Sequence, residues 1–343
     1  MIEHKRRPRY SGKNPRAFHE KYKELDPERY AADVEKVLAA GKTPAGTHRP
    51  IMVSEVLECL RPGPGDMAVD CTLGGGGHAL AILEKIQPGG HLVGIDVDPL
   101  ELPRAQERLS RAGFGPDAFV PYQGNFAGIQ RALGSAGRQH ADVVLADLGV
   151  SSMQLDNPDR GFSYKADGPL DMRMNPQRGE SAAALVARVN EHDLASLLHE
   201  NADEPNAELI AGFLKRQAVA TTQQVDRVVR NGLSAALPRM SKPDLKMSVR
   251  RTLQALRIAV NDEFSTLDWL LRVLPDCLAP GARVAMLTFH SGEDRRVKKA
   301  FQSGLRAGIY SDAAPDVIRP TMEETRANRR ASSAKLRWAV RAS

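Results

Sequence analysis

Short apolar runs alternate with amphipathic segments four times between residues 51 and 148. Apolar runs bounded by Gly and Pro predict strands, and the segments with helical periodicity predict helices. The predicted strands are 67–73, 91–97, 118–122 and 141–148. The predicted helices are 51–60, 78–86, 99–109 and 126–133. Pro99 lies in the first turn of the third of these helices. This alternation is typical of an α/β fold, a doubly wound sheet with parallel strands.

The alternation stops after the fourth strand. Residues 153–247 predict a loop followed by four helices, at 182–189, 191–198, 207–219 and 222–237. A helix at 248–278, a turn at 280–281, a strand at 283–289, a helix at 293–301 and a last strand at 335–340 follow. We therefore expect one α/β domain, made of residues 47–152 and 248–343, interrupted by an inserted helical domain, 153–247. Residues 1–46, with a short candidate helix at 27–40, are expected to form a basic, flexible extension.

The charge of the chain is concentrated at its ends. The net charge is +6, with +5 in residues 1–49 and +7 in residues 283–343. This pattern fits a nucleic-acid partner, although solvated surface helices would give the same totals. The three cysteines are sparse and lack metal-ligand spacing, and no long apolar run or signal peptide is present. These features predict a cytoplasmic protein with no bound metal and no membrane segment.

Four glycines, Gly74–Gly77, lie between the first strand and its helix. Glycine permits tight turns and close approach of a ligand, and the following helix N-terminus offers free N–H groups. Gly74, Gly76 and Ala79 match the dinucleotide fingerprint, and Asp96, at the end of the second strand, suits the ribose hydroxyls of either NAD or S-adenosylmethionine. Asp70 favours S-adenosylmethionine, because a carboxylate beside the loop faces a cationic amino-acid group better than a pyrophosphate. A tight turn without a ligand is the structural alternative.

Asp147 ends the fourth strand, in the segment Ala146-Asp-Leu-Gly-Val-Ser-Ser152. In open α/β sheets, ligands bind outside the carboxyl ends of the strands. An acid at this position would face the reactive end of the cofactor. Its structural alternative is a turn-forming Asp before Gly149.

Several segments resemble the motifs of one family. Residues 48–55 resemble H-x-P-V-L-L-x-E, residues 70–78 resemble D-x-T-x-G-x-G-G-H, and residues 147–156 resemble D-L-G-V-S-S-x-Q-L-D. Further likeness lies in residues 160–164, 168–174, 252–261, 289–295 and 328–337. Over residues 47–340, the chain thus resembles the bacterial ribosomal RNA small subunit methyltransferase H family (RsmH, also called MraW).

The resemblance implies a class I S-adenosylmethionine-dependent methyltransferase (Rossmann-like) sheet with an inserted all-helical domain. It implies methylation of the N4 amine of a cytidine in the decoding region of 16S rRNA. The resemblance leaves open whether the substrate is naked 16S rRNA or the small ribosomal subunit. It also leaves open whether the protein is a monomer or a homodimer. The resemblance also implies a set of cofactor contacts, carried over position by position: Gly76, Gly77, His78, Asp96, Phe126, Asp147 and Gln154. The glycine loop adds Asp70 and Gly74 to this set.

Methylation of a cytosine amine needs an acceptor for the amine protons, because the nitrogen lone pair is delocalised into the ring. We expect Asp147, or a backbone carbonyl beside it, to be this acceptor, with Ser151 and Ser152 lining the base pocket. His290 ends the fifth strand and is expected to face the same crevice, with a structural histidine as the alternative. The candidate RNA contacts are Arg160, Arg173, Ser291, Arg295 and Arg296. The alternative for each of them is a polar or ionic contact at the protein surface.

The chain also departs from the family pattern. Gly292 replaces Leu in the segment usually written S-F-H-S-L-E-D, residues 201–205 replace Y-G-E-E, and residues 246–254 differ from H-P-A-T-R-T-F-Q. The first 46 residues have no counterpart in the typical member. A non-catalytic rRNA-binding or assembly factor is therefore kept as an alternative, and a nicotinamide-dependent oxidoreductase as a more distant one.

Overall fold

The computed structural model describes residues 50–343 and has one seven-stranded sheet at its centre, in the order β3-β2-β1-β4-β5-β7-β6. Strands β1 to β5 are parallel, and β7 pairs antiparallel with both β5 and β6. The order reverses between β1 and β4, which places a ligand crevice at their carboxyl ends. The strands are β1 Met67–Asp70, β2 His91–Asp96, β3 Phe119–Gln123, β4 Ala141–Asp147, β5 Leu278–Thr288, β6 Tyr310–Ala313 and β7 Lys335–Arg341.

Helices cover both faces of the sheet. They are α1 Val53–Leu60, α2 Gly77–Ile86, α3 Glu101–Arg111, α4 Ile129–Ser135, α5 Ser152–Asp156, α6 Ala182–Arg188, α7 Glu191–Ala202, α8 Ala207–Lys215, α9 Thr222–Ala236, α10 Lys242–Asn261, α11 Glu263–Val273, α12 Ser291–Arg306 and α13 Met322–Ala327. Helices α1, α2 and α3 pack on one face, and α4, α11 and α12 pack on the other. Successive strand residues point to opposite faces, so both sides of each central strand are apolar.

A third apolar cluster lies among the helices that follow β4. Helices α6 to α10 surround it, and Val249, Leu253 and Leu256 of α10 are buried in it. The expected domain boundary after residue 247 falls inside α10, a continuous helix of 20 residues. We propose that the helical domain extends to Asn261, where that helix ends.

Some elements differ from the sequence-based prediction. The helix expected at 248–278 is two helices, α10 and α11, because Asp262 between them adopts a left-handed conformation with φ 50°. The turn expected at 280–281 lies within β5, as an irregular stretch where the pairing with β4 shifts register. Pro99 lies outside α3, which begins at Glu101. The short edge strand β6 was not predicted.

The extension 1–46 and its candidate helix lie outside the described residues. Within residues 50–343, no helix combines the length and apolarity needed to cross a membrane.

Candidate active site

Three carboxylates predicted from the sequence lie at the carboxyl ends of neighbouring strands. Asp70 ends β1, Asp96 ends β2 and Asp147 ends β4, and these strands are adjacent in the sheet. The glycine loop follows β1 directly, so it lies between the first two of these acids. The fold therefore brings together residues that are up to 77 positions apart in the sequence.

The glycine loop is fixed to the end of β2. The backbone N–H of Gly74 donates to Oδ2 of Asp96 at 2.7 Å, and Gly76 has φ +71°, a conformation that L side chains rarely adopt. A Cβ at Gly77 would lie 2.8 Å from Pro50, so only glycine allows this approach. Burial raises the pKa of Asp96 to about 6, against the hydrogen bonds that it accepts from Asp98 and Gly74. Asp96 thus shapes the loop and keeps its carboxylate at the crevice.

Asp70 is buried and linked to Asp147 through a threonine. Its Oδ1 accepts the backbone N–H of Thr72 at 3.0 Å, and the Thr72 hydroxyl accepts the backbone N–H of Asp147 at 2.6 Å. Burial raises the pKa of Asp70 to about 6, even though nearby His78 lowers it. Thr72, which the sequence analysis did not single out, therefore couples the ends of β1 and β4.

His78, the second residue of α2, faces Asp147. Its Nε2 lies 2.9 Å from the carbonyl oxygen of Ile51, and its Nδ1 lies 3.6 Å from Oδ2 of Asp147. Burial lowers the pKa of His78, so the neutral ring donates from Nε2 and turns its Nδ1 lone pair toward Asp147. Burial, with a smaller effect of Glu293, raises the pKa of Asp147 to about 7. Its Oδ1 is buried without a hydrogen-bond partner among the described residues.

Gln154 and Arg160 converge on Asp98, which is fully buried. Nε2 of Gln154 and Nη1 of Arg160 each donate to Oδ2 of Asp98 at 2.8 Å. The other guanidinium nitrogen of Arg160 donates to the carbonyl oxygens of Arg173 and Met174. The predicted RNA contact of Arg160 is disfavoured, since its side chain is buried and three of its N–H groups are directed to partners inside the protein. Its role is to fix the segment after β4.

Asp98 itself was not predicted from the sequence. The available signal was a second acid two residues after Asp96, immediately beyond the carboxyl end of β2. A buried carboxyl group requires hydrogen-bond partners, and Arg160, 62 positions later, supplies one.

Ser151 begins α5 as its N-cap. Its hydroxyl accepts the backbone N–H of Gln154 at 3.1 Å, and the Gln154 side chain accepts the backbone N–H of Ser151 at 2.9 Å. Ser152 is half-buried in the first turn, and Phe126, half-buried after β3, packs against the α4 face of the sheet. Ser151 is therefore used as a helix cap.

His290 and Ser291 lie at the end of β5, beside Asp147 on β4. The backbone N–H of Leu148 donates to the carbonyl oxygen of Leu287, which aligns the two strand ends. Nδ1 of His290 accepts the backbone N–H of Glu293 as the N-cap of α12, and the ring packs 5.7 Å from that of Phe264. His290 thus has a defined structural role at the rim of the crevice.

The remaining predicted RNA contacts each bond to an acidic side chain. Arg173 pairs with Asp171 at 2.7 Å, and Arg295 and Ser291 both reach Asp203. Arg295 is 60% exposed and joins α12 to the helical domain, so a polyanion could replace its surface partner at low cost.

Arg296 lies on the other side of α12. Its guanidinium is 3.6 Å from the ring centroid of Phe264, donates to the carbonyl oxygen of Gly292 and pairs with Asp268. A Cβ at Gly292 would lie 2.5 Å from Phe264. The departure from the family's Leu therefore makes room for this ring.

One trio with metal-ligand atoms occurs within residues 50–343: Glu263, His290 and Glu293. Arg257 donates to both carboxylate oxygens of Glu263, at 2.7 and 2.8 Å. A guanidinium thus already supplies the positive charge that this trio requires.

The crevice suits a cationic nucleoside cofactor. Asp147 has a buried carboxylate oxygen without a hydrogen-bond partner among the described residues, and the pKa values of Asp70 and Asp96 are raised. Carboxylates in this state favour a ligand that brings positive charge, as the ammonium and sulfonium groups of S-adenosylmethionine do. These carboxylates would repel a pyrophosphate. Parallel strands β1 to β5 with an antiparallel β7 inserted before β6 form the sheet of a class I methyltransferase.

Comparison with known proteins agrees with this class. Residues 45–342 match the model of the MraW methylase family, and the chain belongs to that family. A protein named ribosomal RNA small subunit methyltransferase H 2, from Alkaliphilus metalliredigens, is 50% identical over 98% of this chain and 97% of its own length. The corresponding protein named H 1, from Agathobacter rectalis, is 48% identical over 99% of this chain and 98% of its own. The family and the sheet together confirm the predicted fold class and the predicted cofactor, S-adenosylmethionine.

The relatives also bear on the extension. The protein named ribosomal RNA small subunit methyltransferase H from Geobacter sulfurreducens is 42% identical over 85% of this chain and 98% of its own length. By contrast, the Alkaliphilus and Agathobacter alignments cover nearly all 343 residues. The first 46 residues thus have a counterpart in these two relatives, whereas the coverage of the Geobacter protein agrees with the expectation that the typical member lacks one.

Proposed function

We propose that this protein transfers a methyl group from S-adenosylmethionine to the N4 amine of a cytidine in the decoding region of 16S rRNA, in the cytoplasm. The names of its relatives support small-subunit rRNA as the substrate class. The observation that carries the proposal is the carboxylate of Asp147, which ends β4 at the switch point with Oδ1 buried and unpartnered. A free acceptor at this position is what an amine substrate requires.

The chain's own residues give this acceptor its properties. Burial holds the pKa of Asp147 near neutrality, at about 7, where a carboxylate accepts a proton more readily than at its ordinary value. Neutral His78 turns its Nδ1 lone pair toward Asp147, so it favours the protonated acid once the amine proton has been transferred. Thr72 and the pairing of β4 with β5 fix the backbone of Asp147. In-line methyl transfer depends on such positioning.

The glycine loop, Asp70 and Asp96 would hold the cofactor, whose sulfonium supplies the methyl group. Gln154 and Arg160 act through Asp98 to set the segment that follows Asp147, and they are positioning residues. Arg173, Ser291, Arg295 and Arg296 are retained as candidate RNA contacts, since each is at least partly exposed and bonds to a partly exposed or exposed acid. Ser151, Ser152 and His290 are proposed to line the base pocket.

The test is a methyl-transfer assay with labelled S-adenosylmethionine and small ribosomal subunits that lack the modification, followed by nucleoside analysis. Labelled N4-methylcytidine is the expected product. Label on another nucleoside would overturn the proposed target. No label despite cofactor binding would favour the alternative, a non-catalytic assembly factor.

The role of Asp147 is tested by Asp147→Ala, with Asp117→Asn at an exposed acid before β3 as the control. We expect Asp147→Ala to bind the cofactor and to lose about 10²-fold or more in rate, as is typical for loss of a general base. Full activity of Asp147→Ala would refute this assignment.

A further inference from the structure

A groove lies between α11 and α12, on the face of the sheet opposite α3. Its volume is 690 Å³, and residues along the facing sides of the two helices line it. Its lining includes Arg296 and extends along α12 to Tyr310. The Phe264 ring lies between Arg296 and His290, with its centroid 3.6 Å from the Arg296 guanidinium and 5.7 Å from the His290 ring, so the groove is close to the rim of the crevice.

The lining carries excess positive charge. Arg272, Arg296 and Lys299 lie along it, against one acid, Asp268, which pairs with Arg296 at 3.3 Å. Neither Arg272 nor Lys299 forms an ion pair with another described residue, and both are exposed. Two unneutralised cations beside a groove are the arrangement that attracts a polyanion.

An aromatic side chain stands beside these cations. Trp269 of α11 is 50% exposed, the most exposed aromatic residue among the described large apolar side chains, and the Arg272 guanidinium lies 5.5 Å from its ring centroid. Water-exposed indole surface is unfavourable, so a ligand that covers it gains free energy. Bases of single-stranded nucleic acid stack on such rings, and arginine beside the ring adds a contact to the phosphates.

We propose that the groove between α11 and α12, with Trp269, Arg272 and Lys299, binds the single-stranded RNA segment that flanks the target base. This inference rests on the proposed function, because it takes the substrate to be RNA. Gly292 contributes to this arrangement, since the absence of a side chain there leaves room for the Phe264 ring, which stacks with Arg296 of the groove and packs against His290. A base in the crevice then has its neighbours directed along α12.

The first test measures RNA affinity with the full-length protein. A fluorescently labelled single-stranded RNA with the sequence of the decoding region is titrated and followed by anisotropy. Trp269→Ala is expected to weaken binding by about 5- to 100-fold, which corresponds to loss of one stacked base. Trp269→Phe keeps a stacking ring and is expected to retain most of the affinity. Met322→Ala, at another exposed apolar side chain (77% exposed), serves as the control and should bind as the wild type does.

The second test measures salt dependence. Arg272→Ala combined with Lys299→Ala is expected to reduce the slope of log affinity against log salt by about 1.4, about 0.7 for each phosphate contact with a single strand. Arg111→Ala, on α3 at the opposite face of the sheet, is the matched control and should leave the slope unchanged. An unchanged slope in the double variant, or unchanged affinity in Trp269→Ala, would overturn the proposal. The proposal would also be overturned if these variants lost affinity for assembled subunits but kept their affinity for the single-stranded RNA, because the groove would then bind a ribosomal protein.

The tryptophan signal gives an independent measurement. The chain has two tryptophans, and Trp338 lies within β7. We expect RNA to quench the fluorescence of the wild type and to leave that of Trp269→Phe nearly unchanged. These experiments need no methyl transfer. A wild-type protein that binds RNA through the groove but methylates no cytidine would contradict the proposed function alone, and active enzyme with unaffected groove variants would contradict the groove alone.

Discussion

The substitution Asp147→Asn is expected to stabilise the protein while it abolishes methyl transfer. Burial raises the pKa of Asp147 from 3.8 to about 7, which means that the fold disfavours its ionised form. Asparagine removes the charge, and its amide N–H₂ can donate toward Nδ1 of His78, which now lies 3.6 Å from Oδ2 of Asp147. The functional acid is therefore kept at the expense of stability.

The size of this effect depends on pH in a defined direction. A carboxyl with a raised pKa stabilises the fold fully below its unfolded value of 3.8, and this contribution is lost as the pH rises through about 7. Between pH 5 and pH 8 the full shift corresponds to about 2.5 kcal/mol. Because 27% of the Asp147 side chain is exposed, solvent screening reduces this, and we expect about 1 to 2.5 kcal/mol.

Thermal unfolding at pH 5 and pH 8 measures the difference. For an α/β domain of roughly 200 residues, the advantage of Asp147→Asn in Tm should grow by about 2 to 6 °C between the two pH values. Asp117→Asn, an exposed acid, should show no such growth. If the advantage of Asp147→Asn is equal at both pH values, or if the variant is less stable at pH 8, the ionised carboxylate is favourable in the fold and the reasoning is wrong.

Three further substitutions test other parts of the structure. Arg160→Met removes the cationic partner of the buried Asp98 carboxyl group, so we expect a loss of about 3 to 5 kcal/mol in unfolding free energy and a raised KM for S-adenosylmethionine. Gly161→Ala should destabilise more than Gly179→Ala by about 2 kcal/mol or more in chemical unfolding, because both have φ +72° but only at Gly161 would the Cβ meet a backbone oxygen, at 2.1 Å. Gly292→Leu should lower Tm, and Phe264→Ala in the same chain should restore part of it, since the two side chains compete for one space.

Local periodicity predicted the elements that are long, apolar and close in sequence. Strands β1 to β4 and their helices follow from it, because buried parallel strands have continuous apolar runs. The end of the long helix at Asp262 was not predictable in this way. The left-handed conformation of Asp262 does not change the pattern of apolar residues. The hydrogen bonds that hold the chain there join Asn261 to Met172 and Met174, which are nearly 90 residues away in the sequence.

The residues of the site also differ in how far the sequence predicted them. Asp70, Asp96, Asp147 and the glycines follow directly from their positions at strand ends, and the class I sheet brings them together. Arg160 was misinterpreted because its sequence neighbours give no sign that it is buried, and its partner Asp98 lies on the other side of the switch point. Charge alone does not distinguish a guanidinium that binds RNA from one that neutralises an acid inside the protein.

The acids of the crevice also predict how the cofactor binds. Without a cation, burial raises the pKa values of Asp70 and Asp96 to about 6 and that of Asp147 to about 7, so all three are partly protonated near pH 6. S-adenosylmethionine brings a sulfonium and an ammonium against one carboxylate, and this net positive charge favours the ionised acids; its binding should therefore release protons and weaken as the pH falls from 8 to 6.

Calorimetry at pH 6.5 in two buffers of different ionisation enthalpy measures this release. S-adenosylhomocysteine, which lacks the sulfonium charge, should release fewer protons and lose less affinity, and Asp147→Asn should reduce the difference between the two ligands. Equal proton release by both ligands would mean that the acids respond to the amino-acid ammonium alone. Asp147 would then be free of the sulfonium's influence, which would leave its carboxylate available to the amine of the target base.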